Sequence, residues 1–296
     1  MRYKFIENHR GEFLVRRMCK VLAVSPSGYY AWRRRPVSKL KMANEKLVEQ
    51  IEEIHAEFKG KYGSPRIHQE LQEERKIPCS KNRVARLMRK NGIQAVHKRR
   101  FRVTTKSNPT HPVTPNLLDR NFTAEKPNKK WTSDITYIRT KEGWLYLAAV
   151  LDLFSRRIVG WAMSKRITSN LVVNALEMAV QQRKPAAGLL HHSDRGSQYT
   201  GKTYRELLAA NEMLVSMSGK GDCWDNAPTE SFFSSLKREQ VHHQNYETRD
   251  SARTDIFFYI EAFYNRKRRH STLGYLNPAT FEEIYFNTQS VSSLCL

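Results

Sequence analysis

Three acids and one lysine stand in an order that could do chemistry. Asp134 lies in WTSDITYIRT, Asp194 in HHSDRGSQYT, and Glu230 with Lys237 in DNAPTESFFSSLKRE. Carboxylates from separate elements are what hard divalent ions such as Mg2+ require, since these take oxygen ligands and are held by one or two carboxylates plus substrate phosphate. Two ions so placed flank a phosphodiester and stabilise both the attacking and the leaving oxygen of an in-line displacement. Asp134, Asp194 and Glu230 are therefore the candidate catalytic and metal-holding residues, with two Mg2+ per site expected and Mn2+ able to substitute.

The elements that must position them can be read from the pattern. Trp131 to Arg139 alternates as a strand, Trp144 to Leu153 and Arg157 to Met163 supply two more, and Thr168 or Ser169 caps a helix running to Gln182. The short apolar run Gly188 to His192 predicts a strand that delivers Asp194 at its carboxyl end, where α/β sheets bind ligands. Thr203 to Glu212 predicts a helix and Met213 to Met217 a strand. The glycine-rich loop 218–222 then leads to a helix opening at Ala227-Pro228, with Asn226 as a suitable cap. Lys237 follows Glu230 by two turns, so both share one face, beside a stripe of Phe232 and Leu236.

The gap from 195 to 229 puts 35 residues between Asp194 and Glu230. With that spacing, the blocks DITYI, HSDRGSQY, DNAPTESFF and YNRKRRHSTLGYLNPATF resemble the second-reading-frame (OrfB) transposases of the IS-three family of bacterial insertion sequences, essentially from end to end. The resemblance implies an α/β, ribonuclease-H-like (integrase catalytic core) mixed sheet with flanking helices, preceded by small all-α helix-turn-helix modules. It further implies DNA strand cleavage and transfer at a DDE site, with Asp134 and Asp194 on neighbouring strands. Lys237 would contact a phosphate near the element end and Asn226 would help position DNA. The expected partners are the insertion-sequence ends and target DNA, further copies of the chain on that DNA, and the upstream reading-frame product (OrfA) as fusion or partner.

Composition agrees with a polyanionic partner. The 296 residues carry 51 Lys+Arg against 29 Asp+Glu, a net charge of +22. Cys19, Cys79, Cys223 and Cys295 are scattered singly, which suggests neither a disulfide framework nor a cysteine-based zinc site. The absence of a long apolar run or signal-peptide pattern gives the expectation of a cytoplasmic, DNA-associated protein.

The expected organisation has five parts. Residues 1–36 form a small basic helical unit with Phe13, Leu14, Met18, Val21 and Leu22 as its stripe, read as a helix-turn-helix DNA contact or as a basic helical hairpin that packs on the next domain. Residues 42–97 form a helix-turn-helix, its last helix capped by Ser80 and presenting Arg83, Arg86, Arg89 and Lys90 to DNA. Residues 98–124 are a basic, proline-containing linker that buries no core. Residues 125–285 are the catalytic core with a helical extension from Arg249 to Tyr264, and Arg266, Arg268 and Arg269 in a basic cluster expected on DNA. A short helix opens at Asn277-Pro278, and 286–296 reads as a disordered tail.

Other acids and histidines compete for roles. Asp152, at the end of the second strand, and Asp222 and Asp225, near Glu230, are read as solvated loop acids, with an extra metal ligand as the alternative. Adjacent histidines, His191-His192 and His242-His243, point to opposite sides and cannot easily share one metal. The competing functional reading is a DNA-binding regulator with a catalytically idle core.

Overall fold

The computed structural model describes residues 1–96, 114–219 and 223–294. The basic run at 98–102 and Asp222 lie outside the described residues.

Three helices form the first unit: α1 (Arg2–Asn8), α2 (Val15–Val21) and α3 (Pro26–Arg34). Ser25 caps α3 by accepting from the Gly28 amide, as its place before Pro26 predicts. The expected apolar stripe is corrected. Leu14 sits in extended conformation before α2, which rotates Phe13, Leu14 and Val21 outward, and the core is Ile6, Met18, Cys19 and Tyr29.

The second unit is α4 (Lys39–Glu57), α5 (Ser64–Gln69), a π-helical turn (Glu70–Glu74) and α6 (Lys81–Lys90). Leu47, Ile51 and Ile54 recur at helical spacing and bury against Ile67, Leu71, Val84 and Leu87. Ser80 Oγ accepts from the Arg83 amide at 3.3 Å and starts α6. Gly63 takes the cap position of α5, with Pro65 in the first turn.

The third unit is built on strands β1 (Lys130–Thr140), β2 (Gly143–Asp152), β3 (Ile158–Ser164), β4 (Leu190–Ser193) and β5 (Leu214–Met217). Their order is β3-β2-β1-β4-β5, with β3, β2 and β1 antiparallel and β4 and β5 added in parallel. This is the mixed sheet of the ribonuclease-H-like fold. Helices α7 (Ser169–Arg183) and α8 (Lys202–Ala210) cover one face, and α9 (Ala227–Glu239) and α10 (Arg249–Phe258), continued by a π-helical turn (Tyr259–Tyr264), the other. Strand β2 shows why both faces fill: Leu145, Leu147 and Leu151 point to one core, Ala148 and Val150 to the other. No helix among the described residues is long and apolar enough to cross a membrane.

Two expectations fail at the edges of this unit. The end of the expected linker is part of the core: Leu118 is buried, and the amides of Leu117 and Leu118 donate to Ser216 Oγ at 2.9 and 3.1 Å. Of the expected disordered tail, residues 295–296 lie outside the described residues, and 286–294 belong to a helix, α11 (Pro278–Leu294). Its anchor is Glu282, which accepts from Ser155 Oγ at 2.7 Å and from Arg157 and Arg183, while Phe281 and Tyr285 pack on Phe154.

Candidate active site

Strand pairing places the first two acids. Ser133 of β1 stands opposite Ser193 of β4 in parallel register, so Asp134 and Asp194 follow side by side. Each carboxylate is half-buried and has one oxygen held by the main chain: Asp134 Oδ1 accepts from the Ile135 amide at 2.7 Å, and Asp194 Oδ1 from the Gly196 amide at 2.9 Å. Their second oxygens take no hydrogen bond among the described residues. Burial pushes the Asp134 carboxyl well above the usual range, and the Asp194 charge pushes it further, with Glu230 adding and Lys237 opposing. Burial likewise raises Asp194. Two carboxylates crowded in this way with free oxygens form a site that favours a cation.

Helix α9 brings the rest. It is seated by Phe232, Phe233 and Leu236 in the core and by a 2.6 Å hydrogen bond between the Thr132 and Thr229 hydroxyls. Glu230, in its first turn, is exposed, and partial desolvation raises its carboxyl. Lys237 is half-buried with Nζ 4.5 Å from the Tyr137 ring centroid; burial lowers its ammonium and the Asp134 charge holds it up. Asp134 and Asp194 are thus brought together. Glu230 is near enough for its charge to reach Asp134, yet no three acids, histidines or cysteines among the described residues are gathered around one point.

Several candidate contacts have other work. Asn226 is buried, its side chain does not cap α9, and its amide donates to the Ser133 carbonyl at 2.9 Å. It braces β1 beside Asp134 instead of facing DNA. Arg268 and Arg269, expected on DNA, are 3% and 7% exposed and spend their guanidinium groups on Glu239 and on Glu70, Glu73 and Glu74. Within this basic run Arg266 and Lys267 are exposed, and Arg268 and Arg269 turn inward. On α6, Arg86, Arg89 and Lys90 are exposed, whereas Arg83 is half-buried and donates to Asn44 at 2.9 Å.

Two of the competing acids and one of the histidine pairs have structural partners. Asp152 and Asp225 are buried, not solvated. Asp152 accepts from the Asn128 and Phe154 amides, and Asp225 from Asn116, Arg120 and the Gly219 amide. His191 shares hydrogen bonds with Ser133 and Tyr204, and His192 with Ser216 and Ser218, on opposite sides of β4. Burial depresses them to about 3 and about 4.

Two positioning residues escaped the sequence reading. A Cβ on Gly196 would stand 2.9 Å from Asp194 Oδ1, so glycine lets the turn close on the acid. Glu239, two residues beyond Lys237, is buried under Arg268 and Arg66, and these ion pairs hold its carboxyl down at about 2. Gly196 follows an acid by two positions, a detectable signal; Glu239 reads as one more surface charge.

Comparison with known proteins agrees with this layout. The integrase core domain family matches residues 124–223, a second integrase core domain family 230–286, and the HTH-like domain family 42–101. The Transposase InsF for insertion sequence IS3A of Escherichia coli (strain K12) is 43% identical over 284 residues, covering 95% of this chain and 98% of that protein. An insertion element IS600 uncharacterized 31 kDa protein of Shigella sonnei is 46% identical over 268 residues, covering 90% of this chain and 98% of that one. Among solved structures, the catalytic core domain of BIV integrase aligns at TM-score 0.41 and 17% identity, covering 56% of this chain and 99% of that one.

Proposed function

Since the chain belongs to the InsF-type transposases of IS3-like insertion sequences, and is thus a DNA transposase with a polynucleotidyl-transferase core, we propose that Asp134, Asp194 and Glu230 form its strand-cleaving and strand-joining site. The observation that carries this reading is the pair of free carboxylate oxygens on Asp134 and Asp194, at the ends of adjacent parallel strands.

The donor set fits a hard cation. It is all oxygen, and the raised carboxyls lose their mutual repulsion when positive charge arrives. Asp134 and Asp194 would hold the first ion, and Glu230 would complete a second. Bound Mg2+ or Mn2+ supplies Lewis acidity and charge neutralisation at the scissile phosphate. Lys237, drawn toward Asp134 and steadied by Tyr137, grips a neighbouring phosphate and keeps the strand in line. Water attacks phosphorus, the bond to the 3′ oxygen breaks, and that oxygen leaves as a 3′-OH. The 3′-OH then attacks a second phosphodiester: its oxygen bonds to that phosphorus as the phosphorus loses its own 3′ oxygen, which leaves as a new 3′-OH, with no covalent link to the protein.

The remaining organisation follows the same reading. Residues 1–36 and 42–97 bind DNA, Arg86, Arg89 and Lys90 lie along the groove or backbone, and Arg266 adds a phosphate contact. Two ends must be joined, which calls for more than one copy on the DNA, with the upstream OrfA product as fusion or partner, acting in the cytoplasm.

The test is cleavage and joining of a labelled element-end duplex with Mg2+ or Mn2+, with the OrfA part supplied. Wild type acts, while Asp134→Asn, Asp194→Asn and Glu230→Gln bind DNA and do not cut. Retained cutting in any of the three rejects that acid. A wild type that binds and never cuts turns the assignment to a DNA-binding regulator with an idle core.

A further inference from the structure

The helix-turn-helix unit makes an unexpectedly specific contact with the far end of the catalytic helix. Arg269 is nearly enclosed. Its Nε donates to Glu70 at 2.5 Å, its Nη1 pairs with Glu73 and its Nη2 donates to Glu74 at 3.1 Å. Those three acids all lie in the π-helical turn that follows α5. From the other direction, Arg66 of α5 reaches Glu239 at 3.4 Å, the last residue of α9, where Arg268 donates twice at 2.8 Å. Tyr62 hydrogen-bonds the Lys267 carbonyl at 3.0 Å, and Phe263 packs against both the helix-turn-helix core and the catalytic core.

Charge logic makes this arrangement selective. A unit meant to lie on a polyanion carries three acids on one turn, where they would repel DNA. Arg269 pairs with all three, with Glu70 buried beneath it and Glu73 and Glu74 at the exposed rim, and the exposed cations of α6 remain for DNA. The buried pairs Arg269–Glu70 and Arg268–Glu239 would each leave an uncompensated charge if the two units parted, which favours one docking geometry.

We infer that the helix-turn-helix unit is locked in place on the C-terminal end of α9 through Arg269 and Glu239, so that one rigid piece sets both where DNA is gripped and where it is cut. Glu239 and Arg269 are positioning residues: they touch no reacting atom, and they act through the helix that carries Glu230 and Lys237. This rests on the assignment of those two residues to the active site.

The experiment uses the full chain with Arg269→Met, with Arg66→Gln as a milder second variant that removes only one partner of Glu239. Arg269→Lys is the conservative control. Small-angle scattering reads the docking directly, without catalysis. Electrophoretic binding to the labelled element end reads DNA affinity, and sequencing gels read the cut position. Arg269→Met is expected to give a larger radius of gyration and binding within about threefold of wild type. Its cutting should fall by about tenfold or more and spread over neighbouring nucleotides, because displacement by an ångström is that expensive in rate. Arg66→Gln shows the same change more weakly, and Arg269→Lys recovers most of the yield.

An expanded Arg269→Met protein that still cuts at the wild-type nucleotide and yield overturns the inference, and so does scattering identical to wild type. If the wild type itself is inert, the fault lies with the catalytic assignment, and scattering still decides whether the lock exists.

Discussion

Ser133 and Ser193 face each other across β1 and β4 in parallel register, and this pairing alone sets Asp134 beside Asp194. A slip of one residue would turn one acid to the opposite face of the sheet. The register is secured by side chains that do no chemistry: Ser133 Oγ bonds His191 at 2.9 Å, and the Ser133 carbonyl accepts from Asn226.

The crowding of these acids has a consequence for stability. Burial raises the folded-state pKa of both Asp134 and Asp194. The unfolded chain releases these protons from about pH 4, while the folded protein holds them longer. The cation-free fold is therefore weakened as pH rises from about 4 through the raised values. Mg2+ or Mn2+ at neutral pH should offset this; at a hundredfold over its Kd a ligand adds about 2.7 kcal/mol. Thermal unfolding should show a Tm rise of several degrees for wild type. Asp134→Asn should start from a higher cation-free Tm and lose the response, and an unchanged response would remove Asp134 from the ion site.

Gly196 offers a sharper probe of the same acid. In Gly196→Ala the new methyl meets Asp194 Oδ1 at 2.9 Å and Gln198 Oε1 at 3.1 Å. Gln198 can swing away; Asp194 must shift from the Gly196 amide that orients it. Strand cleavage should fall by about tenfold or more, with a stability loss near 1 kcal/mol. Cleavage assays beside urea titrations separate the two. Full activity would mean that the Asp194 carboxylate is not held where the structure has it.

How far the sequence revealed this arrangement depends on what each signal measures. Periodicity located the strands and the acids on them because burial on a sheet face imposes it: Leu145, Leu147 and Leu151 share one side. Ser25 and Ser80 announced helix starts, since a hydroxyl before a helix satisfies a free amide. The direction of a charged side chain has no such signature. Arg268 and Arg269 look identical to Arg266 in sequence, and only the distant Glu239 and Glu70 decide that they turn inward. The full length of the C-terminal helix was hidden for a related reason. The sequence marks its start at Asn277-Pro278, but the helix is held by the pairing of Glu282 with Arg157 and Arg183, more than 90 residues away in the chain.

The two histidines of β4 give a pH dependence of opposite sense. His191 and His192 are held neutral by burial, at about 3 and about 4, against about 6.5 in an unfolded chain. Below pH 6.5 the unfolded chain gains protons that the fold refuses. Stability contributed by the neutral rings is present above that pH and lost as it falls toward 4. Urea midpoints should decline between pH 7 and pH 5, and His192→Gln should flatten the decline while lowering the neutral-pH midpoint. A slope unaffected by replacing either histidine would assign the acid sensitivity to other groups.

Glu282 tests whether the last helix is integral or ornamental. Its carboxylate is 2% exposed and accepts from Ser155, Arg157 and Arg183, and these partners hold its pKa below the usual range. Arg183 also approaches Asp152 at 3.6 Å, and Asp152 in turn accepts from the Trp131 ring nitrogen at the base of β1. The network therefore joins α11 to the strand that carries Asp134. Glu282→Gln keeps the shape and removes the charge, leaving Arg183 with Asp152 and Arg157 without an anionic partner. Breaking a buried pair from one side costs about 3–5 kcal/mol. A loss of that size in urea unfolding, with α11 becoming susceptible to proteolysis first, is the expected result. A change below about 0.5 kcal/mol, the level of an ordinary surface substitution, would mean that α11 merely rests on the catalytic unit and that the strand carrying Asp134 is held without it.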